Sequence, residues 1–298
     1  MITAFLTGNF GNNLFGIVSS KCIAIDLGYE WGVDPRPQYD YHNGMVQTYF
    51  LDLDYGKFPE NITNTYEEVC IRYNHNGDNT DIRVFDKNVY SIPDNTKLLG
   101  GVWQSDRYFR HHIDKLYDWL KIKQEFVTEY TNRLKESGIV LDENTCVMNF
   151  RGGEYKWHPR LIIGSKYYHD CMRIMLEQNP NMKFVIITDD VAGANQFVSG
   201  IPAYHFDIGM DYFIINSAKY CILSNSSFPI MAAITNKGAK KILAPEYWAR
   251  HNVSNGYWAI GDQYYPEFEY VSRDGILKSY EIVKEEAENW RVTNLGSL

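Results

Sequence analysis

The chain has 298 residues, of which 45% are hydrophobic, with five cysteines and a formal net charge of -8 at pH 7. This length can bury a large core in two ordinary domains or one large domain. The negative charge argues against a surface built for nucleic acid or anionic membranes, although a local basic pocket for a small anion stays open. The widely spaced cysteines form no zinc pattern, which indicates buried free thiols in a reducing compartment.

No segment has the pattern of a signal peptide, and none approaches the ~20 apolar residues of a membrane span. We therefore expect a cytosolic protein without an integral membrane segment, and peripheral contact with a membrane-held glycan stays open. The 23 tyrosines are compatible with a groove that handles carbohydrate. Nothing in the sequence indicates the oligomeric state.

The first half opens with a strand-helix-strand pattern. Residues 2–6 predict a strand, 12–27 a helix that ends at Gly28, and 30–33 a second strand. Residues 35–97 are rich in Asp, Asn, Tyr and Gly and predict an irregular insertion. An amphipathic helix is then predicted over residues 114–135.

The second half alternates strands and helices with short connections. Strands are predicted at 145–150, 183–188, 203–206, 220–224 and 240–244. Helices are predicted at 165–178, 190–199, 211–219 and 226–236. This alternation predicts an α/β fold with a doubly wound parallel sheet. We expect two Rossmann-like domains facing a cleft, residues 1–140 and 141–270, with a C-terminal helix in 271–298 that braces the first domain.

Polar residues follow three of the predicted strands, where open α/β sheets bind their ligands. Arg151 follows strand 145–150, and its guanidinium can hold a diphosphate through two parallel charge-assisted bonds. Gly152 and Gly153 remove side-chain bulk, so that a ligand can approach the backbone. The structural alternative is a surface ion pair between Arg151 and Glu154.

The second and third strand ends carry Asp189 and the stretch from Asn225 to Phe228. Ser226 and Ser227 begin a helix with Pro229 in its first turn. Such a turn offers free backbone N–H groups, hydroxyl donors and the positive end of the helix dipole, which suit a phosphate. An ordinary capped helix start is the alternative. Together with Arg151, the turn predicts an anion site for a nucleotide diphosphate.

Other patterns are weaker. The stretch "TGNFGNN" is not the GxGxxG dinucleotide fingerprint, and no GxxxxGK[ST] phosphate loop occurs. Asp52-Leu53-Asp54 matches a DxD metal pattern, but such triplets arise easily by chance. His111 and His112 precede a helix without partner carboxylates at ligand spacing, so we expect a capping or surface role rather than metal binding.

Six stretches, in order along the chain, carry a family resemblance. They are "GNFGNNLF" (8–15), "LLGGVWQSDRYF" (98–109), "NFRGGEY" (149–155), "VIITDD" (185–190), "SNSSFPIMAAI" (224–234) and "KKILAPEYW" (240–248). With them the chain resembles the bacterial-type α-1,2-fucosyltransferases of glycosyltransferase family 11, in the GT-B fucosyltransferase group. The resemblance departs from the family at Asn149, Gly152 and Glu154, where the family has histidine, arginine and aspartate, and in the Pro229-Ile230-Met231 run.

The resemblance implies a GT-B fold whose C-terminal domain binds a nucleotide sugar, GDP-fucose being the leading case, while the N-terminal domain helps to bind a glycan acceptor. It implies an inverting transfer that needs no metal and no cofactor beyond the nucleotide sugar. The catalytic candidates are Arg151, which stabilises the leaving group, and the possible bases Glu154 and Asp106. The predicted donor-binding residues are Asn149, Arg151, Asp189, Asn225, Ser226, Ser227, Phe228, Gly8, Asn9 and Asn12. The predicted acceptor-side residues are Trp103, Gln104 and Tyr108.

Three alternatives stay open. A related enzyme could use another nucleotide sugar, because the departures at Asn149 and Gly152 lie where the family reads its donor. A nucleotide- or glycan-binding homologue could have lost catalysis. A Rossmann oxidoreductase is more remote, since the glycine fingerprint is absent.

Overall fold

The structure is a computed structural model that describes residues 1–6, 8–34, 47–75, 78–100, 103–254, 256 and 263–296. The described chain divides into two compact units, Met1–Lys123 with Ala259–Gln263, and Gln124–Trp258 with Tyr264–Leu298. Each unit contains parallel strands with helices between them. The predicted α/β fold class is confirmed. The boundary between the two units lies after Lys123 rather than near residue 140, and the C-terminal segment belongs to the second unit.

The first unit is built around a three-stranded parallel sheet. Its strands are β1 (Ile2–Ala4), β2 (Asn64–Glu67) and β5 (Thr96–Leu99), in the order β1-β5-β2. An antiparallel pair, β3 (Cys70–His75) and β4 (Asp78–Arg83), lies outside that sheet. The helices are α1 (Phe10–Leu27) and α2 (Ile113–Trp119).

Helix α1 follows β1 as predicted. It ends because Gly28 adopts a left-handed conformation, with φ of 69°, and donates its N–H to the last carbonyls of the helix. Most of the helix is buried, including both aromatic residues of its first two turns, Phe10 and Phe15. The predicted strand at 30–33 is reduced to isolated bridges at Trp31 and Gly32.

The segment from 35 to 97 is more regular than expected. Residues 35–46 lie outside the described residues, but β2 and β5 pair in parallel over Asn64–Glu67 and Thr96–Leu99. Because β5 also pairs with β1, this segment completes the sheet of the first unit. The prediction of an irregular insertion is therefore wrong for these strands.

The second unit holds a seven-stranded sheet. Its strands are β6 (Thr145–Phe150), β7 (Lys183–Thr188), β8 (Ala203–Tyr204), β9 (Tyr220–Ile222), β10 (Lys241–Pro245), β11 (Glu269–Val271) and β12 (Leu277–Lys278). The order is β12-β11-β10-β9-β6-β7-β8, and every neighbouring pair is parallel except β11 with β12. The helices are α3 (Gln124–Ser137), α4 (Ser165–Gln178), α5 (Val191–Phe197), α6 (Ile208–Ser217), α7 (Ser227–Ile234) and α8 (Tyr280–Leu295).

The chain leaves β6 towards β7 and β8 on one side of the sheet and returns to β9, β10 and β11 on the other. This reversal makes the gap between the carboxyl ends of β6 and β9 the topological switch point, where doubly wound sheets bind ligands. Strand β6 is buried along its whole length, and its Cys146, Met148 and Phe150 pack in one apolar core with α4. The residues that follow β6 are therefore anchored to the carboxyl end of a buried strand.

No helix among the described residues combines the length and the apolar character needed to cross a bilayer.

Candidate functional site

Asn149 ties together the three strands around the switch point. Its buried side chain donates to the carbonyl of Ile187 in β7 at 3.2 Å and accepts from the hydroxyl of Ser224 after β9 at 2.6 Å. Unmade hydrogen bonds are expensive in the interior, so these two bonds hold the ends of β7, β6 and β9 in register. Arg151 lies two residues after Asn149, and Ser226 lies two residues after Ser224.

Arg151 leaves the sheet edge with both ends of its guanidinium engaged. One terminal nitrogen donates to Asp189, and the other donates to Glu154 at 3.0 Å. The Arg151–Glu154 pair, which the sequence left open as a structural alternative, is therefore present. Asp189 also accepts from the backbone N–H of Gly152 at 2.9 Å, so it is fixed independently of the arginine.

The three charged side chains differ in exposure. The side chains of Arg151 and Asp189 are 21% and 26% exposed, whereas that of Glu154 is 49% exposed. Asp189 thus orients the guanidinium from the protein side, and Glu154 is the partner that an incoming anion can displace at the lower cost. The ring of Tyr155 lies 5.5 Å below the guanidinium carbon and supports the same orientation.

Close packing, rather than access for a ligand, explains why glycines follow Arg151. A Cβ atom on Gly152 would lie 2.6 Å from the Cβ of Asp190, and one on Gly153 would overlap the carboxylate of Asp189. The space is therefore occupied by aspartates of the chain itself. We expected these glycines to open the backbone to a ligand. That expectation is wrong for the space where a Cβ atom would lie, because close packing of the β6 and β7 ends fills it.

The turn after β9 begins α7 as predicted. Ser226 is the N-cap, and its hydroxyl oxygen accepts from the backbone N–H of Phe228 at 3.3 Å, with Pro229 in the first turn. The hydroxyl proton of a capping serine is still available for donation to another group. The side-chain amide of Asn225 donates to the carbonyl of Leu161 at 2.6 Å, and its donor-binding role stays a prediction.

The candidate residues of the first unit are mostly buried and bonded within that unit. Asn9 occupies the N-cap position of α1, and Gly8 has φ of 73°. Asn12 accepts from the amide of Gln104 at 2.8 Å, and Gln104 in turn accepts from Gln263 at 2.7 Å. These bonds form a polar chain along the start of α1.

Three further residues of the "WQSDRYF" stretch lie in the interior of the first unit. The Trp103 carbonyl accepts from Ser19 at 2.8 Å, and the Tyr108 hydroxyl accepts from the backbone N–H of Asp86 at 3.0 Å. Asp106 is buried and accepts from Arg110 at 3.1 Å. Arg110 thus engages the carboxylate of Asp106, whereas Glu154 is half exposed at a sheet edge.

No family model matches the chain. The chain is 25% identical over 293 residues to an α-1,2-colitosyltransferase of Escherichia coli, covering 86% of this chain and 95% of that protein. The predicted resemblance to fucosyltransferase-type glycosyltransferases is confirmed. The predicted enzyme class, glycosyltransferase, is confirmed with it.

Two solved structures align with this glycosyltransferase at lower similarity. One is POFUT1 in complex with GDP-fucose, with 9% identity, a TM-score of 0.44 and coverage of 82% of this chain and 96% of that chain. The other is NodZ α-1,6-fucosyltransferase soaked with GDP-fucose, with 13% identity, a TM-score of 0.44 and coverage of 81% and 92%.

One pair in the second unit was missed by sequence analysis. His205 follows β8, and its Nδ1 lies 3.0 Å from the buried carboxylate of Asp211 in α6. The bond to Asp211 raises the pKa of His205, and the carboxylates of Asp189 and Asp207 add to the effect. Burial raises the pKa of Asp211. A histidine at the end of a predicted strand, six residues before an aspartate in a predicted helix, is the signal that could have found the pair.

Proposed function

We propose that this glycosyltransferase transfers a sugar from a nucleoside diphosphate to a glycan hydroxyl, with inversion at the anomeric carbon and without a divalent metal. Fucose from GDP-fucose is the leading donor. Colitose is the second sugar to test, because the E. coli relative is named for its transfer.

The observation that carries the proposal is the bond between Asn149 and Ser224. It links the end of β6 to the end of β9 at the switch point of the sheet. Arg151 and the Ser226 start of α7 leave the sheet from these two linked ends. A cation that never deprotonates and a helix N-terminus on one edge suit a pyrophosphate.

In the proposed reaction, the acceptor oxygen forms a bond to the anomeric carbon while the bond from that carbon to the diphosphate breaks. The electron pair of the broken bond goes to the diphosphate. Arg151, Ser226, Ser227 and the N–H groups of α7 stabilise this growing charge, the task that Mg²⁺ performs in other transferases. The acceptor proton passes to a base, for which Glu154 and Asp106 both remain candidates.

The carboxylates around Arg151 have separate roles in this proposal. Asp189 keeps the guanidinium aimed along the sheet edge, while Glu154 gives up its place to the donor phosphates. Once released, Glu154 is an exposed carboxylate beside the donor, which suits a base. Gly8, Asn9 and Asn12 on the donor side, and Trp103, Gln104 and Tyr108 on the acceptor side, stay proposals.

The second candidate is a nucleotide- or glycan-binding homologue without turnover. The observation in its favour is that carboxylates occupy both terminal nitrogens of Arg151. In this reading, the arginine supports the loop at 153–157 and meets no phosphate.

A thermal-shift panel of GDP, UDP, dTDP and NAD separates these functions, because a ligand that binds only the folded state raises the melting temperature. The proposal predicts a shift with one nucleoside diphosphate, GDP first, and transfer of sugar from its nucleotide sugar to water or to a glycan. Binding without any turnover would support the second candidate. A shift with NAD alone would contradict both.

A further inference from the structure

Asp26, His111 and His112 meet on the first unit although 85 residues separate the aspartate from the histidines. Asp26 lies in the last turn of α1, and the histidines end the 3₁₀ turn Arg110–His112 ahead of α2. The Nε2 atom of His111 is 2.7 Å from one carboxylate oxygen of Asp26, and that of His112 is 2.8 Å from the other. One carboxylate therefore serves two imidazoles.

The sequence-based expectation of a capping or surface role for the two histidines had a wrong premise. It rested on the absence of a partner carboxylate at ligand spacing, and the fold supplies that carboxylate from α1. His112 is at the N-cap position of α2 but its side chain makes no capping bond. A capping role for His112 is thus wrong.

The donor atoms have the separation that a metal ion requires. One ligand atom from each of the three residues can be chosen so that all lie within 4.8 Å of one another. In a tetrahedral zinc site with bonds of ~2.0 Å, ligand atoms are about 3.3 Å apart. The two hydrogen-bonded distances, which run to different oxygens of Asp26, would open by about half an ångström to reach that value, and the longer separations within the 4.8 Å group would close.

The cluster is partly exposed to solvent. The side chains of His112 and Asp26 are 13% and 21% exposed, while that of His111 is 45% exposed. This leaves a solvent-facing position for water as a fourth ligand. Cys22, one helical turn before Asp26, does not belong to the group of residues whose ligand atoms lie within 4.8 Å of one another.

We propose that Asp26, His111 and His112 bind one divalent transition-metal ion, with zinc the best chemical match to two imidazoles and a carboxylate. The ion joins the end of α1 to the start of α2 within the first unit. Its role is to stabilise that unit. It takes no part in the metal-independent transfer proposed above, so the two proposals stand or fall separately.

Tag-free protein, stripped with a chelator, is titrated with zinc chloride by calorimetry, and with cobalt(II) as a spectroscopic probe of tetrahedral coordination. We expect one ion per chain and, at a hundredfold excess over Kd, a melting temperature about 4 °C or more higher.

The variants His112→Ala and Asp26→Asn should each lower zinc affinity by about tenfold or more. His169→Ala is the matched control, because His169 is also an exposed histidine, on α4 of the second unit. The melting temperature of each stripped variant confirms that it folds, and Asp26→Asn preserves the shape of the side chain if His112→Ala does not fold. Absence of stoichiometric binding, or equal affinity in wild type, His112→Ala and Asp26→Asn, would overturn the proposal.

Discussion

The two units use their family-like residues in different ways. In the second unit, Arg151, Asp189 and Glu154 carry charge at the edge of a sheet and are partly exposed. In the first unit, Trp103 and Tyr108 are fully buried, and their hydrogen bonds with the Ser19 hydroxyl and the Asp86 N–H stay within that unit. Both sets belong to stretches that resemble one family, yet the charged set of the second unit is partly exposed to solvent, whereas Trp103 and Tyr108 are not.

This difference shows that a recurring motif can record packing as well as chemistry. The ring of Trp103 is buried and packs against Tyr108 at a centroid distance of 5.2 Å, so packing accounts for this residue. An arginine at the carboxyl end of β6, held by an aspartate from the neighbouring strand end, has no comparable packing role. Variants of the two sets should therefore separate into loss of activity and loss of stability.

The largest effect is expected for Arg151→Ala. Transfer should fall by about 10²- to 10³-fold in kcat/KM, because a charge-assisted donor to the leaving group is lost. The free energy of unfolding should fall by no more than about 1–3 kcal/mol, because the partly buried Asp189 loses the guanidinium but keeps the N–H of Gly152. Steady-state kinetics and chemical denaturation measure the two quantities.

Arg173→Ala is the matched control for this variant. Arg173 also pairs with a glutamate, Glu177, but on the outer face of α4. It should retain full transfer. Arg151→Lys should lie between wild type and Arg151→Ala, because an ammonium keeps the charge and loses the bidentate geometry. Unchanged kcat/KM in Arg151→Ala would show that Arg151, like Trp103 and Tyr108, has a structural role.

Asn149→Ala is expected to affect both stability and donor binding. It leaves the Ser224 hydroxyl and the Ile187 carbonyl without their partner in the interior, at a cost of about 1–3 kcal/mol in the free energy of unfolding. Since the link also positions Arg151 and α7, affinity for the nucleotide should fall as well. Denaturation and calorimetry on one preparation test whether the two losses occur together, and wild-type nucleotide affinity would show that the link does not position the site.

A smaller effect, on the free energy of unfolding, is expected for Tyr108→Phe. The hydroxyl accepts from the backbone N–H of Asp86, so its removal should cost ~1 kcal/mol in the free energy of unfolding. Nucleotide affinity should stay at the wild-type value, because the residue belongs to the first unit's interior. A loss of nucleotide or acceptor affinity at full stability would move Tyr108 into the ligand-binding set.

The smallest effect concerns the pH dependence of stability through His205. Its pKa is raised in the folded state by Asp211, so its contribution is fully present below the unfolded pKa of about 6.5. The contribution is lost as the pH rises through the folded pKa. His205 is half exposed, so the difference between wild type and His205→Gln should stay below ~1 kcal/mol. Denaturation from pH 5.5 to 8.5 measures it, and a difference that grows with pH would contradict the assignment.

Strand positions in the second unit could be predicted because local pattern decides them. The predicted strands at 145–150 and 183–188 and the helix at 165–178 agree with β6, β7 and α4. Long apolar runs and a clear helical period leave one way to bury these segments. The strand ends then place Arg151 and Asp189 on one edge.

Long-range contacts explain what could not be predicted. The helix predicted over 114–135 is interrupted because Lys121 and Lys123 bond through their backbones to Asp52 and Phe50. Strand β2 reads "NTYE" and is recognisable only through its pairing with β5. The cluster of Asp26 with the two histidines depends on the same kind of distant pairing, which residue spacing does not reveal.

The central claim is that the linked ends of β6 and β9 hold a diphosphate. Calorimetric titration of GDP into wild type, Arg151→Ala and Arg173→Ala tests it most directly. The account predicts equal affinities for wild type and Arg173→Ala and a loss of about tenfold or more for Arg151→Ala. Equal affinity in all three proteins, or no GDP binding to wild type while another nucleotide binds independently of Arg151, would contradict it.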